Sequence, residues 1–131
     1  MVIIDTSVWI PALELASSPE KAEVQRLTDL DQAAIVGTVL VEVLRGARTR
    51  MDYERLSGNM MGAAFVEDTE ESWLLAADIL LELKLRGEII PVADAIIAAQ
   101  AIEGGHSVFT HDRHFQRIRG VALHRMGGSP T

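Results

Sequence analysis

Short apolar runs alternate along the chain with longer segments in which apolar positions recur with a helical period. A run of three or four aliphatic residues between turn signals is typical of a strand buried on both faces of a parallel sheet. Such runs predict strands at residues 2–4, 33–36, 63–66, 107–110 and 121–123. The periodic segments predict helices at residues 7–16, 39–47, 51–61, 69–87, 91–103 and 112–117, with another starting at residues 17–20. Strands that alternate with helices indicate βαβ units, so we expect one three-layer α/β domain with a five-stranded, mainly parallel sheet flanked by helices.

Hydroxyl residues mark several of the expected helix starts. Ser17 is followed by Pro19 and then by Glu20, three residues after the serine, which is the pattern of a capping box. Thr38 and Thr69 stand just before two other helical segments, where each is expected to act as the N-cap. The segment after Thr38 is apolar on almost every side, so we expect that helix to be deeply buried.

The segment at residues 69–87 carries a stripe of apolar residues with a helical period, which includes Trp73, Leu74 and Leu81. A stripe of this kind usually faces the core of the domain. We therefore expect Trp73 to be a core residue, together with Trp9 and Phe109.

The composition is that of a globular protein. The chain has 131 residues, of which 48% are hydrophobic and 24% charged, and it contains no cysteine, which excludes disulfides and thiolate metal sites. No apolar run approaches the ~20 residues of a membrane span, and the N-terminus lacks the pattern of a signal peptide. We expect a soluble cytoplasmic domain at residues 1–125, with a loose C-terminal tail at 126–131 and no membrane association.

The net charge of −7 disfavours a protein that holds nucleic acid by bulk electrostatic attraction. The charge is unevenly distributed, however. Two groups of basic residues stand out: Arg45, Arg48, Arg50 and Arg55, and then Arg113, Arg117, Arg119 and Arg125. Such groups are compatible with a polyanionic ligand and also with an ordinary solvated surface.

Four carboxylates each stand alone in an apolar run. They are Asp5, Glu42, Asp94 and Asp112. Asp5 and Asp112 follow expected strands, while Glu42 and Asp94 are expected in the first turns of helices. Because strands end and helices begin at the same edge of a parallel sheet, we expect all four at the edge where open α/β sheets bind ligands.

Clustered carboxylates repel one another unless they are protonated or bind a cation. Ligation by oxygen alone suits Mg²⁺ or Mn²⁺, and two such ions about 4 Å apart can support phosphodiester hydrolysis. The alternative is that each acid separately caps a helix or pairs with an arginine. The positions of all four favour the common site.

With these acids, the chain resembles a PIN domain, and most of all the VapC-type ribonuclease toxins of bacterial toxin–antitoxin systems. The resemblance rests on four segments: Asp5-Thr6-Ser7-Val8-Trp9-Ile10, Glu42-Val43-Leu44-Arg45-Gly46, Ala93-Asp94-Ala95-Ile96-Ile97-Ala98-Ala99 and Thr110-His111-Asp112-Arg113-His114-Phe115. It implies an Mg²⁺- or Mn²⁺-dependent endoribonuclease with the four acids as catalytic metal ligands. It further implies supporting hydroxyls at Ser7 and Thr110, a homodimer, and a cognate antitoxin with a DNA-binding domain and a C-terminal inhibitory segment.

One departure from the pattern concerns His114. Many members of that family have a second acid at this position, so the resemblance does not imply a second metal held entirely by the protein. His111 and His114 are expected to contact RNA phosphate or solvent, with transition-metal binding as the alternative. Arg45, one helical turn after Glu42, is expected either to hold a carboxylate or the scissile phosphate or to face water.

Two other functions compete with the nuclease. A phospho-acceptor receiver module also places acids at this edge, but it needs a second acid beside the first and a lysine late in the chain. The sequence contains only Lys21 and Lys84. The other alternative is a catalytically inactive PIN domain that acts as a protein-interaction module.

Overall fold

The computed structural model describes residues 1–127. Its centre is one five-stranded sheet with the strand order β3-β2-β1-β4-β5, and every neighbouring pair is parallel. The strands are β1 (Val2–Ile4), β2 (Ala33–Val36), β3 (Ala64–Val66), β4 (Ser107–Phe109) and β5 (Ala122–Leu123). The expected sheet is therefore confirmed, and it is parallel throughout.

Helices join the strands and flank the sheet. They are α1 (Thr6–Glu14), α2 (Pro19–Asp29), α3 (Gly37–Leu44), α4 (Arg50–Met60), α5 (Glu70–Leu85), α6 (Val92–Gly104) and a 3₁₀ helix (Arg113–Arg117). Helix α1 packs on α2 and α3, and α5 packs on α6. Helix α6 ends as expected at Gly105, whose φ of 68° lies in the left-handed region that favours glycine.

The central position of β1 follows from its pairing on both sides. Val2 lies opposite Ala33 of β2 and Ser107 of β4, and this parallel register continues to the end of β1, where Ile4 lies opposite Phe109. All residues of β1, β2 and β4 are buried, as expected for strands covered on both faces. The residue after β1 therefore lies in the middle of the carboxyl edge of the sheet.

Two of the expected caps are wrong. The N-cap of α2 is Ser18, whose hydroxyl accepts a hydrogen bond from the backbone of Lys21 at 3.0 Å, so Ser17 and Glu20 form no capping box. Helix α3 begins at Gly37 and its N-cap is Val36, so Thr38 lies inside the helix. At α5 the expected cap is confirmed, because Thr69 and Ser72 hydrogen-bond each other's backbone in a capping box.

The expected burial of two helix faces is also wrong. Helix α3 buries Val39 and Val43, but Val41 is 66% exposed. Helix α5 buries a different face from the one expected, so that Trp73 and Leu81 are exposed. Both helices therefore carry apolar residues on a second face, which a single copy of the domain leaves uncovered.

Residues 126 and 127 of the expected tail form a turn, and residues 128–131 lie outside the described residues. Within the described range, none of the helices combines the length and hydropathy needed to cross a membrane.

The buried carboxylate of Glu23 links α2 to the segment after β5. Glu23 receives two hydrogen bonds from Arg26, at 2.8 and 2.9 Å, and its Oε2 lies 2.7 Å from Nε2 of the buried His124. The pKa of Glu23 is lowered from 4.5 to about 2, chiefly by the Arg26 hydrogen bonds and to a smaller extent by His124, against the opposing effect of burial. The ionised carboxylate is therefore the form that the fold stabilises.

We expect Glu23→Gln to reduce the free energy of unfolding at neutral pH by at most ~3 kcal/mol. Because the pKa of Glu23 is lower in the folded state, its contribution is complete above pH 4.5 and is lost as the pH falls toward about 2. The difference between variant and wild type should shrink over the same interval in urea unfolding. Glu103→Gln, which removes an exposed acid from α6, is the control. A difference independent of pH would contradict the role of the charge.

Candidate active site

The four isolated acids come from elements that meet at the carboxyl edge of the sheet. Asp5 follows β1 and occupies the N-cap position of α1, and Asp112 occupies the N-cap position of the 3₁₀ helix after β4. Asp94 lies in the first turn of α6, as expected. Glu42 lies in the second turn of α3 instead of the first, because that helix begins at Gly37.

Two hydroxyls hold the carboxylate of Asp5. Ser7 Oγ donates to Asp5 Oδ2 at 2.9 Å, and Thr110 Oγ1 donates to the same oxygen at 2.8 Å. In the described part of the chain Oδ1 accepts no hydrogen bond, so it remains available to another ligand. The two hydroxyls lie 3.3 Å apart, and in this way the turn after β1 is joined to the turn after β4.

The same hydroxyls accept hydrogen bonds from the backbone of the second turn. His111 N donates to Ser7 Oγ at 3.0 Å, and Asp112 N donates to Thr110 Oγ1 at 2.9 Å. These contacts determine where the backbone of Asp112 lies relative to Asp5. Ser7 and Thr110 therefore connect Asp5 to the backbone of the second turn.

His114 lies between two of the acids. Its Nδ1 is 2.8 Å from Asp94 Oδ2 and 2.9 Å from Asp112 Oδ1. One ligand atom from each of these three residues lies within 4.8 Å of the others, a spacing that a single metal ion can span. The expectation that His114 meets phosphate or solvent did not anticipate these two contacts.

The acids influence one another's ionisation. Burial raises the pKa of Glu42, and Asp5 and Asp94 raise it further, while Arg45 partly opposes them. Burial also raises the pKa of Asp94, where the His114 hydrogen bond opposes the effect and Asp112 and Asp5 add to it. The fold therefore places these carboxylates close enough to repel one another, and a cation would relieve that repulsion.

The donor set fits a divalent cation. Asp94 is only 8% exposed, yet among residues 1–127 no lysine or arginine forms an ion pair with it or with Asp5, Glu42 or Asp112. Buried carboxylates that lack a lysine or arginine partner are stabilised by hydrogen bonds or by metal. Arg45, at the C-cap of α3, is exposed and acts on Glu42 through its charge alone.

The model of the family described as PIN domain matches residues 2–121 of the chain. The chain belongs to the PIN-domain family.

The relatives of this PIN domain are of the VapC type. Ribonuclease VapC18 from Mycobacterium tuberculosis is 30% identical over 98% of the chain and 90% of the relative. VapC ribonuclease Mb1587 from Mycobacterium bovis is 32% identical over 90% of the chain and 91% of the relative. The resemblance stated from the four sequence segments is confirmed.

Solved structures show the same fold. A chain of VapBC2 from Rickettsia felis, bound to a DNA fragment from its promoter, superimposes with a TM-score of 0.83 at 20% identity, covering 95% of this PIN domain and 98% of that chain. A chain of DNA-bound VapBC from Salmonella typhimurium gives a TM-score of 0.80 at 22% identity, covering 94% and 96%. The fold class expected from the sequence is therefore confirmed.

A cavity of about 650 Å³ in this PIN domain lies beside Glu42. Ile10, Leu13 and Val43 give it an apolar wall between α1 and α3. Polar residues line the rest, among them Glu14, Arg48 and Asp52. The cavity can therefore accept an apolar group, with a cationic one next to Glu42.

Sequence reasoning missed two contacts of the histidines near the site. His111 Nε2 lies 3.0 Å from Glu20 Oε1 in α2, and His114 turns the other way, toward Asp94 and Asp112. The sequence shows only that the two histidines flank Asp112. The different directions of their side chains follow from the 3₁₀ helix, which their spacing alone does not determine.

Proposed function

We propose that the protein is a metal-dependent endoribonuclease, the toxin component of a type II toxin–antitoxin system, which acts in the cytoplasm. It hydrolyses RNA phosphodiester bonds at the site formed by Asp5, Glu42, Asp94 and Asp112, and leaves a 5′-phosphate and a 3′-hydroxyl. The observation that carries the proposal is the grouping of Asp94, Asp112 and His114 beside Asp5 at the edge of the sheet, in a chain whose curated relatives are named ribonucleases.

The chain's own residues perform three tasks in this proposal. Asp5, Glu42, Asp94 and Asp112 bind Mg²⁺ or Mn²⁺, and Ser7 and Thr110 hold Asp5 in one orientation. A divalent cation at such a site supplies an activated water and neutralises charge on the leaving oxygen. The N-termini of α1 and α6, at the same edge, favour the phosphate group.

The substrate is bound locally rather than through the overall charge, since the net charge is −7. The candidates for phosphate contacts are exposed arginines that closely follow Glu42 or Asp112 in the sequence. They are Arg45, Arg48 and Arg113. Recognition of the RNA would then depend on its shape or on unpaired loop bases.

We expect the purified protein to cleave single-stranded RNA when Mg²⁺ or Mn²⁺ is present. Chelation of the metal with EDTA should abolish cleavage, and readdition should restore it, because the acids repel one another and the phosphate without a cation. Product ends are identified by treatment with phosphatase and ligase. Undiminished cleavage in EDTA would contradict the proposal. No cleavage with any divalent ion would favour the catalytically inactive PIN domain.

A receiver module finds no support at this edge. Lys21 lies in α2 and Lys84 in the last turn of α5, and neither forms an ion pair with the four acids within residues 1–127. The lysine on which such a module depends is therefore absent from the described site.

The proposed partner is a cognate antitoxin with a DNA-binding domain and a C-terminal inhibitory segment. The solved relatives with the same fold include VapBC assemblies bound to DNA. The cavity has an apolar wall and Glu42 at one side, which supports an inhibitory segment that carries both apolar and basic side chains.

We expect a homodimer in solution, with about twice the 14.3 kDa mass of one chain in light scattering. The apolar residues that one copy leaves uncovered on α3 and around α4 include Val41, Met51 (80% exposed) and Met61 (80% exposed). Val41→Asp should shift the equilibrium toward monomer. Leu81→Asp on α5 is the matched comparison, and if only this variant dissociates, the interface is on α5. A monomer mass for the wild type at micromolar concentration would contradict the dimer.

A further inference from the structure

His114 is held at the site by two contacts with the same carboxylate oxygen. Its backbone N donates to Asp112 Oδ1 at 2.9 Å, and its ring Nδ1 lies 2.9 Å from that oxygen. The ring also reaches Asp94 Oδ2 at 2.8 Å, across the gap between the 3₁₀ helix and α6. The direction of Nδ1 is therefore determined by residues of two separate elements, and it is toward the acids.

His111, the other histidine of this segment, points away from the acids, so the direction of the His114 ring is specific to position 114. His111 immediately precedes Asp112, and its ring lies against Glu20 of α2 with its side chain 42% exposed. Among the described residues its ring forms no hydrogen bond or ion pair with the four acids. His111 is therefore a natural control for the chemistry of His114.

We infer that His114 Nδ1 is a metal ligand, with Asp94 and Asp112, and that this nitrogen makes the site prefer Mn²⁺ to Mg²⁺. The inference rests on the proposed function, which assigns a divalent cation to these acids. Mg²⁺ is hard, keeps its waters and takes oxygen ligands, whereas imidazole nitrogen suits first-row transition metals. An acid at position 114 would complete an all-oxygen set, and the histidine replaces one of those oxygens with nitrogen.

The three donors are already close to the arrangement that a metal requires. They approach one another within 4.8 Å, and Asp94 is buried, so the cation would be partly shielded from water. A hydrogen bond from Nδ1 to either carboxylate oxygen requires a proton on that nitrogen. Binding requires the neutral ring with its proton on Nε2, which leaves the Nδ1 lone pair for the metal.

The competing explanation is that His114 only positions the two carboxylates through hydrogen bonds. In that case the metal would contact oxygen alone, and the histidine would not alter the choice between Mn²⁺ and Mg²⁺. The two explanations differ in whether a nitrogen atom is bonded to the metal, which is directly measurable.

The first experiment measures Mn²⁺ and Mg²⁺ affinities by calorimetry for the wild type, His114→Asp and His111→Asp. We expect the ratio of Mn²⁺ to Mg²⁺ affinity to fall at least about tenfold in His114→Asp and to stay unchanged in His111→Asp. His111→Asp adds the same charge nearby, so it controls for electrostatics. Thermal unfolding without metal checks that both variants are folded. An unchanged ratio in His114→Asp would overturn the inference.

The second experiment uses electron spin echo spectroscopy of the Mn²⁺-loaded protein. Directly bound nitrogen should modulate the echo in the wild type and in His111→Asp, and this modulation should vanish in His114→Asp. A wild type without nitrogen modulation would leave His114 as a positioning residue and would overturn the inference.

These results are distinguishable from those that test the proposed function. RNA cleavage by a wild type whose Mn²⁺ shows no bound nitrogen would refute the ligand role and keep the nuclease. Nitrogen-bound Mn²⁺ in a protein that cleaves no RNA would keep the ligand role and refute the nuclease.

Discussion

Replacing Asp94 with asparagine should abolish metal-dependent RNA cleavage without destabilising the metal-free protein. Asn keeps the shape of the side chain and an oxygen that can accept from His114, but it removes the charge that a cation requires. Loss of one electrostatic stabiliser from an active site typically costs on the order of 10²–10³-fold in rate, and we expect at least that. The measurement is single-turnover cleavage of a labelled RNA with Mg²⁺ or Mn²⁺.

The stability of Asp94→Asn is the second part of this prediction. Burial, Asp112 and Asp5 raise the pKa of Asp94, so the charged form is unfavourable in the folded protein without metal. Removing the charge should leave the melting temperature of the metal-free protein equal or higher. Asp78→Asn on α5 removes an exposed acid that forms no ion pair within residues 1–127, and it should leave both cleavage and stability unchanged. Cleavage by Asp94→Asn at the wild-type rate would refute the four-carboxylate site.

The second large effect is expected in inhibition by the antitoxin. An arginine or lysine from its C-terminal segment should pair with the acids and displace the metal, while adjacent apolar side chains enter the cavity lined by Ile10, Leu13 and Val43. Truncating one partner of such a desolvated pair commonly costs ~2–5 kcal/mol. Changing that basic residue to alanine should therefore weaken inhibition strongly, and high Mg²⁺ should compete with the unmodified segment. Titration of cleavage with antitoxin measures both.

Two substitutions in the toxin, rather than in the antitoxin, test the same mechanism of inhibition. Ile10→Glu places a charge at the cavity and should weaken binding of the antitoxin. Ile89→Glu changes another exposed isoleucine, which does not line the cavity, and should leave binding unchanged. If neither the basic residue nor Mg²⁺ affects inhibition, occlusion of the acids is the wrong mechanism.

The strands and the edge that carries the acids were predictable because each rests on a strong local pattern. Val2–Ile4 and the other apolar runs have few alternatives to a buried strand, and an isolated carboxylate at the end of such a run must lie at the sheet edge. Both inferences use only where each strand ends along the chain. They do not depend on the detailed packing of side chains.

The helix starts show where local signals were insufficient or were misread. Two adjacent serines precede α2, and Pro19 decides between them, because proline at the first helical position makes Ser18 the N-cap. At α3 the helix begins directly from the end of β2, with Val36 extended at the N-cap and no side-chain cap at all. Thr38 is a residue type common at N-caps, but here it is the second residue of the helix and lies inside its first turn.

The exposed faces of α3 and α5 and the role of His114 depend on tertiary structure. Helix α5 is apolar on more than one side, so its period cannot show which side meets α6. His114 reaches Asp94 only because the 3₁₀ helix turns it toward α6, and residue spacing does not encode that turn. Sequence patterns thus identify the acids, but the contacts between them require the fold.

The position of β1 between β2 and β4 determines when the site can form during synthesis. Asp5 is made almost first, but Ile4 pairs with Phe109, and the hydroxyl of Thr110 that holds Asp5 lies 105 residues further along the chain. Since domains fold as their segments emerge from the ribosome, most of the chain must be translated before this carboxylate is oriented. A nascent toxin therefore passes through nearly its whole synthesis, on the ribosome and beside its own messenger RNA, without an assembled nuclease site.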